Sequence, residues 1–247
     1  MKSRFLTGLI LGMLLLGVGK ENFAEAQTIT AADKFLEALN DPDRTEINLG
    51  GSINTRILED SEPIGFTPDP IERVITITSS GTITISYGTT AQTAEEDGVD
   101  YYFTIVDGGG ITFSKEAKLS GGFGDTLFRI DSGKLTFDKT ATFEKNSGAI
   151  YAQSSSTLTF NGDAIFTSNS IEGDGGAIGL LDATITIKGD ATFTSNTAQA
   201  NGGALYLTND STLLISGNST FSKNSTLNMG DGGGAIYAAG GTLTFGG

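Results

Sequence analysis

A short strand-forming unit recurs along this chain at intervals of 23 to 30 residues. The unit has the form x-apolar-Thr-apolar, with leucine replacing threonine once, and its copies end at Ile85, Phe113, Phe137, Phe160, Ile187, Ile215 and Phe245. Because side chains alternate across a strand, the two apolar residues of each unit face one way and the residue between them faces solvent. A period of this length is typical of solenoids, in which each coil buries its apolar face by stacking on the next.

Two further motifs keep step with this unit in the second half of the chain. One is Phe-x-x-Asn, which places its phenylalanines and asparagines at Phe143, Asn146, Phe166, Asn169, Phe193, Asn196, Phe221 and Asn224. The other is a Gly-Ala corner followed by an apolar residue, formed by Gly148, Ala149, Gly175, Gly176, Ala177, Gly202, Gly203, Ala204, Gly233, Gly234 and Ala235. Each period therefore holds three short strands, and their stacking predicts an all-β fold with three parallel sheets around one core.

Stacking assigns a structural role to each motif. The phenylalanines are expected to lie about 4.8 Å apart along the axis. Asparagine tolerates left-handed backbone at a corner and can hydrogen-bond to the asparagine of the next coil. The glycines allow a tight corner where a Cβ would collide with the neighbouring coil. Tyr151, Tyr206 and Tyr237 follow the Gly-Ala corner and are expected to point outward, whereas Leu119 takes the phenylalanine place in an earlier coil.

The first 26 residues have the three parts of a Sec signal peptide. Two basic residues precede an apolar stretch at 5–18, and residues 24–26 form a small-x-small cleavage site. We predict cleavage between Ala26 and Gln27, followed by export to the cell surface or the extracellular space. A membrane anchor is the alternative, but the apolar stretch is shorter than the roughly 20 residues that span a bilayer.

The rest of the chain divides into three parts. Residues 27–58 predict an N-terminal cap, in which an amphipathic helix at about 31–40 and a first strand cover the open end of the sheet. Residues 59–125 predict irregular coils with loops, including a proline-rich loop at 59–72, and residues 126–247 predict regular coils. The last coil has no Phe-x-x-Asn strand, so we expect these coils to be truncated and the natural gene to continue.

Composition narrows the possible functions. The chain has no histidine or cysteine, which excludes zinc sites built on those residues, thiol catalysis and triads with an imidazole base. Its formal net charge of −14 disfavours binding to nucleic acid. We therefore expect a protein that is not an enzyme, with no catalytic residue, metal site or cofactor.

A secreted polysaccharide lyase or hydrolase is the alternative, because β-helices also carry such enzymes. Asp163 and Asp190 each follow a glycine at the same corner of successive coils, and Asn218 takes that position in the third. Stacked carboxylates repel each other and could recruit Ca²⁺. Gly-Asp and Gly-Asn are also ordinary turn sequences, and this is the interpretation that we favour.

The paired motifs Gly-Gly-Ala-Ile/Leu and Phe-x-x-Asn resemble the repeats of the chlamydial polymorphic membrane proteins over about residues 141–247. The resemblance implies an autotransporter passenger, which is a right-handed, single-stranded parallel β-helix with an adhesive function. Such a passenger is displayed by a C-terminal outer-membrane β-barrel, which is missing from this sequence. The expected partner is a receptor or glycan on a host or neighbouring cell. We predict specificity in the loops 170–174, 197–201 and 225–232, which vary in length while the core motifs do not.

Overall fold

The computed structural model describes residues 28–29, 32–54, 57–59, 62–64, 69–86, 101–121, 126–227 and 232–246. The expected signal peptide at 1–26 and its cleavage site between Ala26 and Gln27 lie outside these residues. Within them the chain forms a β-solenoid with one short helix, and its coils contribute strands to three lateral faces. The predicted parallel β-helix is therefore confirmed.

We name each face after the motif that recurs on it. The Thr face consists of Thr28–Ile29, Glu46–Leu49, Val74–Ser79, Gly110–Phe113, Lys134–Phe137, the second halves of Ile150–Phe160 and Ile178–Ile187, Thr212–Ile215 and Thr242–Phe245. The Phe face consists of Ile53–Asn54, Ile83–Ser86, Ala117–Ser120, Ala141–Glu144, Ala164–Thr167, Ala191–Thr194 and Ser219–Ser222. The Gly-Ala face consists of Tyr101–Val106, Thr126–Asp131, the first halves of the same two long strands, Leu205–Thr208 and Ile236–Ala239. Each strand pairs in parallel with the strand of the neighbouring coil.

Two of the three faces are joined into a single sheet of 13 strands among the described residues. The strands Ile150–Phe160 and Ile178–Ile187 run without a break from the Gly-Ala face round a corner to the Thr face. Ser154 and Ser155 lie in the left-handed region at this corner, with φ of 56° and 61°, and the pairing shifts beside them. Such a bulge bends a strand without ending its hydrogen bonding, so the Gly-Ala face and the Thr face stay joined through these two coils.

The core runs along the axis between the faces and is filled by inward side chains. On the Thr face the rings of Phe113, Phe137 and Phe160 stack with centroids 4.8 and 5.0 Å apart. On the Gly-Ala face Phe103 stacks on Phe128 at 4.9 Å. All five side chains are completely buried, so the chain's own residues occupy the centre of these coils.

The predicted N-terminal helix spans Ala32–Asn40 and covers the first coils. Its Phe35 is completely buried against the core. Arg73 donates hydrogen bonds to the carbonyl oxygens of Leu39 at 2.6 Å and Arg44 at 2.9 Å, which places a positive charge at the C-terminus of the helix. Among the described residues, no helix has the length and apolar character needed to cross a membrane.

Two short pieces of sheet lie where the sequence predicted loops. Ile57–Glu59 and Glu62–Ile64 form an antiparallel hairpin in the proline-rich region. Ser170–Ile171, Thr197–Ala198 and Ser225–Thr226 form a parallel ladder inside the loops 170–174, 197–201 and 225–232. These loops pair because the coils that carry them are already in register. Strands of two or three residues are too short to show an alternating pattern, so periodicity does not reveal them.

Candidate binding surface

The phenylalanines of the repeat motif form one continuous stack on the Phe face. The ring centroids of Phe143, Phe166, Phe193 and Phe221 follow one another at 4.7, 5.0 and 4.8 Å, and the ring planes are within 6° of parallel. The first three rings are completely buried. They stabilise the interior and do not reach the outer surface.

The asparagines of the motif form a buried hydrogen-bonded ladder beside this stack. Oδ1 of Asn169 accepts hydrogen bonds from the main-chain N of Asn146 at 3.1 Å and from its Nδ2 at 2.9 Å. Nδ2 of Asn169 donates in turn to the carbonyl oxygen of Phe143 at 3.1 Å and to Oδ1 of Asn196 at 2.9 Å. Asn196 repeats the pattern with Asn224 at 3.0 Å. The side-chain amide of Asn169 is thus fully used inside the protein.

The left-handed residue at this corner is the one before the asparagine. The residues concerned are Lys145, Ser168, Ser195 and Lys223, with φ between 55° and 57°. The expectation that asparagine itself takes this conformation is therefore wrong. Because the chain turns one residue earlier, the asparagine side chain points along the axis and reaches the next coil.

The residues of the Gly-Ala corner bring successive coils into close contact. Gly175 and Gly202 lie in the left-handed region, with φ of 73° and 61°. A Cβ on Gly176 would lie 2.6 Å from the carbonyl oxygen of Thr197 in the next coil. Three alanines of the motif, Ala149, Ala177 and Ala204, are completely buried. The remaining residues of the motif are Gly148, Gly203, Gly233, Gly234 and Ala235. These residues build the coils, so a binding site has to be sought among outward side chains.

The aspartates considered as a catalytic or metal site cap the turn of the next coil. Oδ1 of Asp163 accepts a hydrogen bond from the main-chain N of Asp190 at 2.9 Å. Oδ1 of Asp190 accepts in the same way from Asn218 at 2.8 Å. Among the described residues, no group of three or more acidic side chains is placed to hold a metal ion. The arrangement fits a repeated turn.

The outward side chains of the Gly-Ala face form a column that is interrupted once. Strand pairing aligns Arg129, Tyr151, Gly179, Tyr206 and Tyr237 along the axis. The rings of Tyr206 and Tyr237 stack with centroids 5.4 Å apart. Gly179 has no side chain, and the ring of Tyr151 lies over it, with Cδ2 3.0 Å from the position of a Cβ. The column therefore changes shape between Tyr151 and Tyr206.

A half-open groove of about 440 Å³ lies at this interruption, on the outside of the solenoid. Tyr151, Tyr206 and Arg129 line it, together with Gln153 and with Asp174 from the loop 170–174. Its volume lies within the range of roughly 300 to 1,000 Å³ that is usual for small-molecule sites. Aromatic rings, a positively charged side chain and a negatively charged side chain thus line the same groove.

On the loop side of the groove, hydrogen bonds fix the position of the Asp174 carboxylate, and burial affects the protonation of the Tyr206 phenol. Oδ1 of Asp174 accepts hydrogen bonds from the main-chain N and the Nδ2 of Asn201, both at 2.8 Å. Burial raises the pKa of the Tyr206 phenol, and the nearby Asp174 carboxylate raises this pKa further. The phenol therefore stays protonated and neutral near pH 7.

A second fixed carboxylate, that of Asp131, lies behind the groove residue Gln153, to which it is hydrogen-bonded. Hydrogen bonds from Ser154 and Gln153 hold the pKa of Asp131 below its ordinary value, and the Arg129 guanidinium lowers this pKa further. The bond from Nε2 of Gln153 to Oδ2 of Asp131 measures 2.7 Å. Gln153 is thereby oriented at the edge of the groove.

The sequence pattern predicts outward tyrosines after the Gly-Ala corner but does not by itself predict the groove. The position after Gly-Ala-apolar reads Tyr151, Gly179, Tyr206 and Tyr237 in successive coils. A single glycine at a position that is otherwise tyrosine could therefore have indicated the groove from the sequence. The predicted loop 170–174 does contribute to the groove, through Ile171, Gly173 and Asp174.

Residues 190–208 and 213–239 match the Chlamydia polymorphic membrane protein (Chlamydia_PMP) repeat. This match confirms the resemblance that the motifs suggested for this part of the chain. No curated protein and no solved structure matches the sequence. The repeat and the β-solenoid together fit a passenger-like surface protein of the autotransporter type. The repeat family consists of outer-membrane or surface proteins rather than enzymes.

Proposed function

We propose that this chain is the binding part of a surface-displayed adhesin, which attaches to a host or neighbouring cell. The observation that carries the proposal is the repeat match at 190–208 and 213–239 on a solenoid whose interior is filled by its own side chains. With the interior filled, outward side chains and loops remain as the surface for a partner. The mechanism is recognition without chemical change.

The charge of the chain limits the kinds of partner. A formal net charge of −14 repels nucleic acid and anionic lipid headgroups. Attachment therefore depends on specific contacts with a receptor or a glycan. The loops 170–174 and 197–201 differ in sequence on matching coils, which makes them the variable part of this surface.

Adhesion requires export, and we assign this role to residues 1–26. Cleavage by signal peptidase is expected to leave Gln27 as the first residue of the mature protein. N-terminal sequencing of the exported protein measures this directly. An exported protein that still begins at Met1 would contradict the assignment.

Binding of protein-coated beads to cultured cells tests the adhesive function. Beads carrying the purified protein should bind, and soluble protein should compete with them. Beads coated with the same amount of heat-unfolded protein serve as the control for adsorption. Failure to bind any cell, matrix or glycan surface would contradict adhesion. Cleavage of pectate or another glycan by the protein would contradict a purely binding role.

A further inference from the structure

We propose that the groove between Tyr151 and Tyr206 is a glycan-binding subsite that accepts an uncharged sugar ring. This inference rests on the proposed adhesive function and gives it a location on the Gly-Ala face. Three properties of the groove carry it: a step in the outer surface, two aromatic faces, and a polar rim that offers both donors and acceptors.

The step arises where a corner loop changes length. Between the asparagine and the Gly-Ala corner, the loop at 170–174 has no counterpart in the coil before it. Ile171 and Asp174 of this loop line the same groove as Tyr151 and Arg129, which belong to preceding coils. The loop therefore bounds the groove on one side, while the other side is open to solvent. A glycan chain can enter from this open side without any movement of the coils.

Two tyrosines supply the apolar surface of the subsite. Tyr151 and Tyr206 stand on strands that are two spacings apart, which is about 9.6 Å along the axis. Gly179 lies between them in the column, and the ring of Tyr151 lies over it, so this ring forms one wall of the groove. The face of a phenol ring is electron-rich, and the axial C–H bonds of a sugar ring are weakly positive, so the two pack favourably. Both tyrosines are already half-buried, which reduces the side-chain entropy lost on binding.

The rim offers hydrogen-bond partners of both kinds. Asp174 is fixed through Oδ1 by Asn201, and its Oδ2 receives no hydrogen bond from the described residues. Arg129 adds a guanidinium donor, and Gln153 adds a side-chain amide. A sugar hydroxyl both donates and accepts, so a sugar can use the whole rim.

The charges around the groove favour an uncharged sugar over an acidic one. Arg129 is opposed by the carboxylates of Asp131 and Asp174, and the chain as a whole is strongly acidic. A sialylated or sulfated glycan would bring further negative charge into this field. We therefore expect neutral hexoses or N-acetylhexosamines at the subsite.

Saturation-transfer NMR on the purified protein tests the proposal. The probes are the methyl glycosides of glucose, galactose, mannose and N-acetylglucosamine, with sialic acid as the charged comparison. At least one neutral glycoside should receive saturation through the protons of one ring face, and sialic acid should receive none. Gly179→Tyr should abolish this signal, because its side chain would displace the ring of Tyr151. Thr186→Tyr places the same side chain outward on the Thr face and should leave the signal unchanged.

A second variant and a thermal melt separate loss of binding from loss of fold. Tyr206→Ala should weaken binding about tenfold or more, since it removes one aromatic wall. Gly179→Tyr should leave the protein folded with at most a small fall in melting temperature, because the nearest group is the flexible ring of Tyr151 rather than the main chain. Three results would overturn the proposal: no saturation of any neutral glycoside, an undiminished signal in a folded Gly179→Tyr variant, or a preference for sialic acid.

The test also distinguishes this subsite from the adhesive function on which it rests. Cell binding that is unchanged in Gly179→Tyr would overturn the subsite and leave adhesion intact. Neutral-sugar binding by a protein that attaches to no cell would support the subsite and contradict adhesion.

Discussion

The coils before residue 121 and those after residue 134 fill the same core with different side chains. On the Phe face, the earlier coils carry Ile53, Ile85 and Leu119 in the column that later holds Phe143, Phe166, Phe193 and Phe221. The rings of the earlier coils stand on the other two faces, as Phe103 and Phe113. At the crossover Phe137 and Phe143 meet edge to face at 5.4 Å. The Phe face is thus filled by isoleucine and leucine in the earlier coils and by phenylalanine in the later ones.

This difference shows that the apolar columns are interchangeable, whereas the polar column is not. Isoleucine, leucine and phenylalanine can share a column when neighbouring columns compensate for volume. Each buried asparagine needs the next one, because Oδ1 of Asn169 satisfies two donors of Asn146 and Oδ1 of Asn196 satisfies two donors of Asn169. A buried amide without partners is costly, so the ladder exists as an unbroken run.

The largest expected effect is at the aromatic stack. Phe166→Ala should lower the free energy of unfolding by about 4 kcal/mol, because it leaves a cavity in a buried column. Phe166→Leu should cost only about 1 to 2 kcal/mol, since Leu119 occupies the same column. Urea denaturation measures both. Equal losses in the two variants would contradict the interchangeability of apolar columns.

The asparagine ladder should be nearly as sensitive. Asn169→Ala removes an acceptor for Asn146 and a donor to Phe143, so buried groups lose their partners. We expect a loss of about 3 kcal/mol in the free energy of unfolding. The control is Asn161→Ala, which removes an exposed bond to Asp138 and should cost less than about 0.5 kcal/mol. A loss at Asn169 as small as that of the control would break the contrast between polar and apolar columns.

Substitution by alanine should lower the free energy of unfolding more at a glycine that contacts main-chain atoms than at one that contacts a flexible side chain. Gly176→Ala forces a Cβ toward main-chain atoms of the next coil and should cost about 2 kcal/mol. At Gly179 the nearest atom belongs to the flexible ring of Tyr151, so Gly179→Ala should be within about 0.5 kcal/mol of neutral. Thermal unfolding of the pair checks this. A larger loss at Gly179 would show that this glycine is needed by the coil itself.

The smallest expected effect is a pH dependence at Asp131. Because the pKa of this carboxyl is lowered in the folded state from 3.8, its stabilising contribution is complete above that value. The contribution is lost as the pH falls from about 4 through the folded pKa. Asp131→Asn should flatten this part of the stability profile slightly, since the carboxylate is only half-buried and solvent screens its interactions. An unchanged profile would mean that Ser154 and Gln153 do not stabilise the ionised form.

The sequence was sufficient to predict the solenoid because its core columns repeat at a nearly constant period. Phe166 and Phe193 are 27 residues apart and lie face to face. The left-handed corner was assigned to the wrong residue, since the motif marks the conspicuous asparagine and the turn is made by Ser168 before it.

The groove could not be predicted with the same ease, because it depends on an irregularity rather than on the repeat. A missing side chain at Gly179 and an added loop at 170–174 have to coincide on one outer face. Their coincidence depends on which face each strand occupies. That information comes from the pairing of coils and not from the period alone.

In the proposed adhesin, interior side chains build the solenoid and outward side chains bind the partner. Cell binding by Phe166→Leu and by Tyr206→Ala, compared at a temperature at which circular dichroism shows both to be folded, tests it most directly. We expect binding at the wild-type level for Phe166→Leu and a loss of about tenfold or more for Tyr206→Ala. Unchanged binding by Tyr206→Ala together with a loss in Phe166→Leu would contradict it.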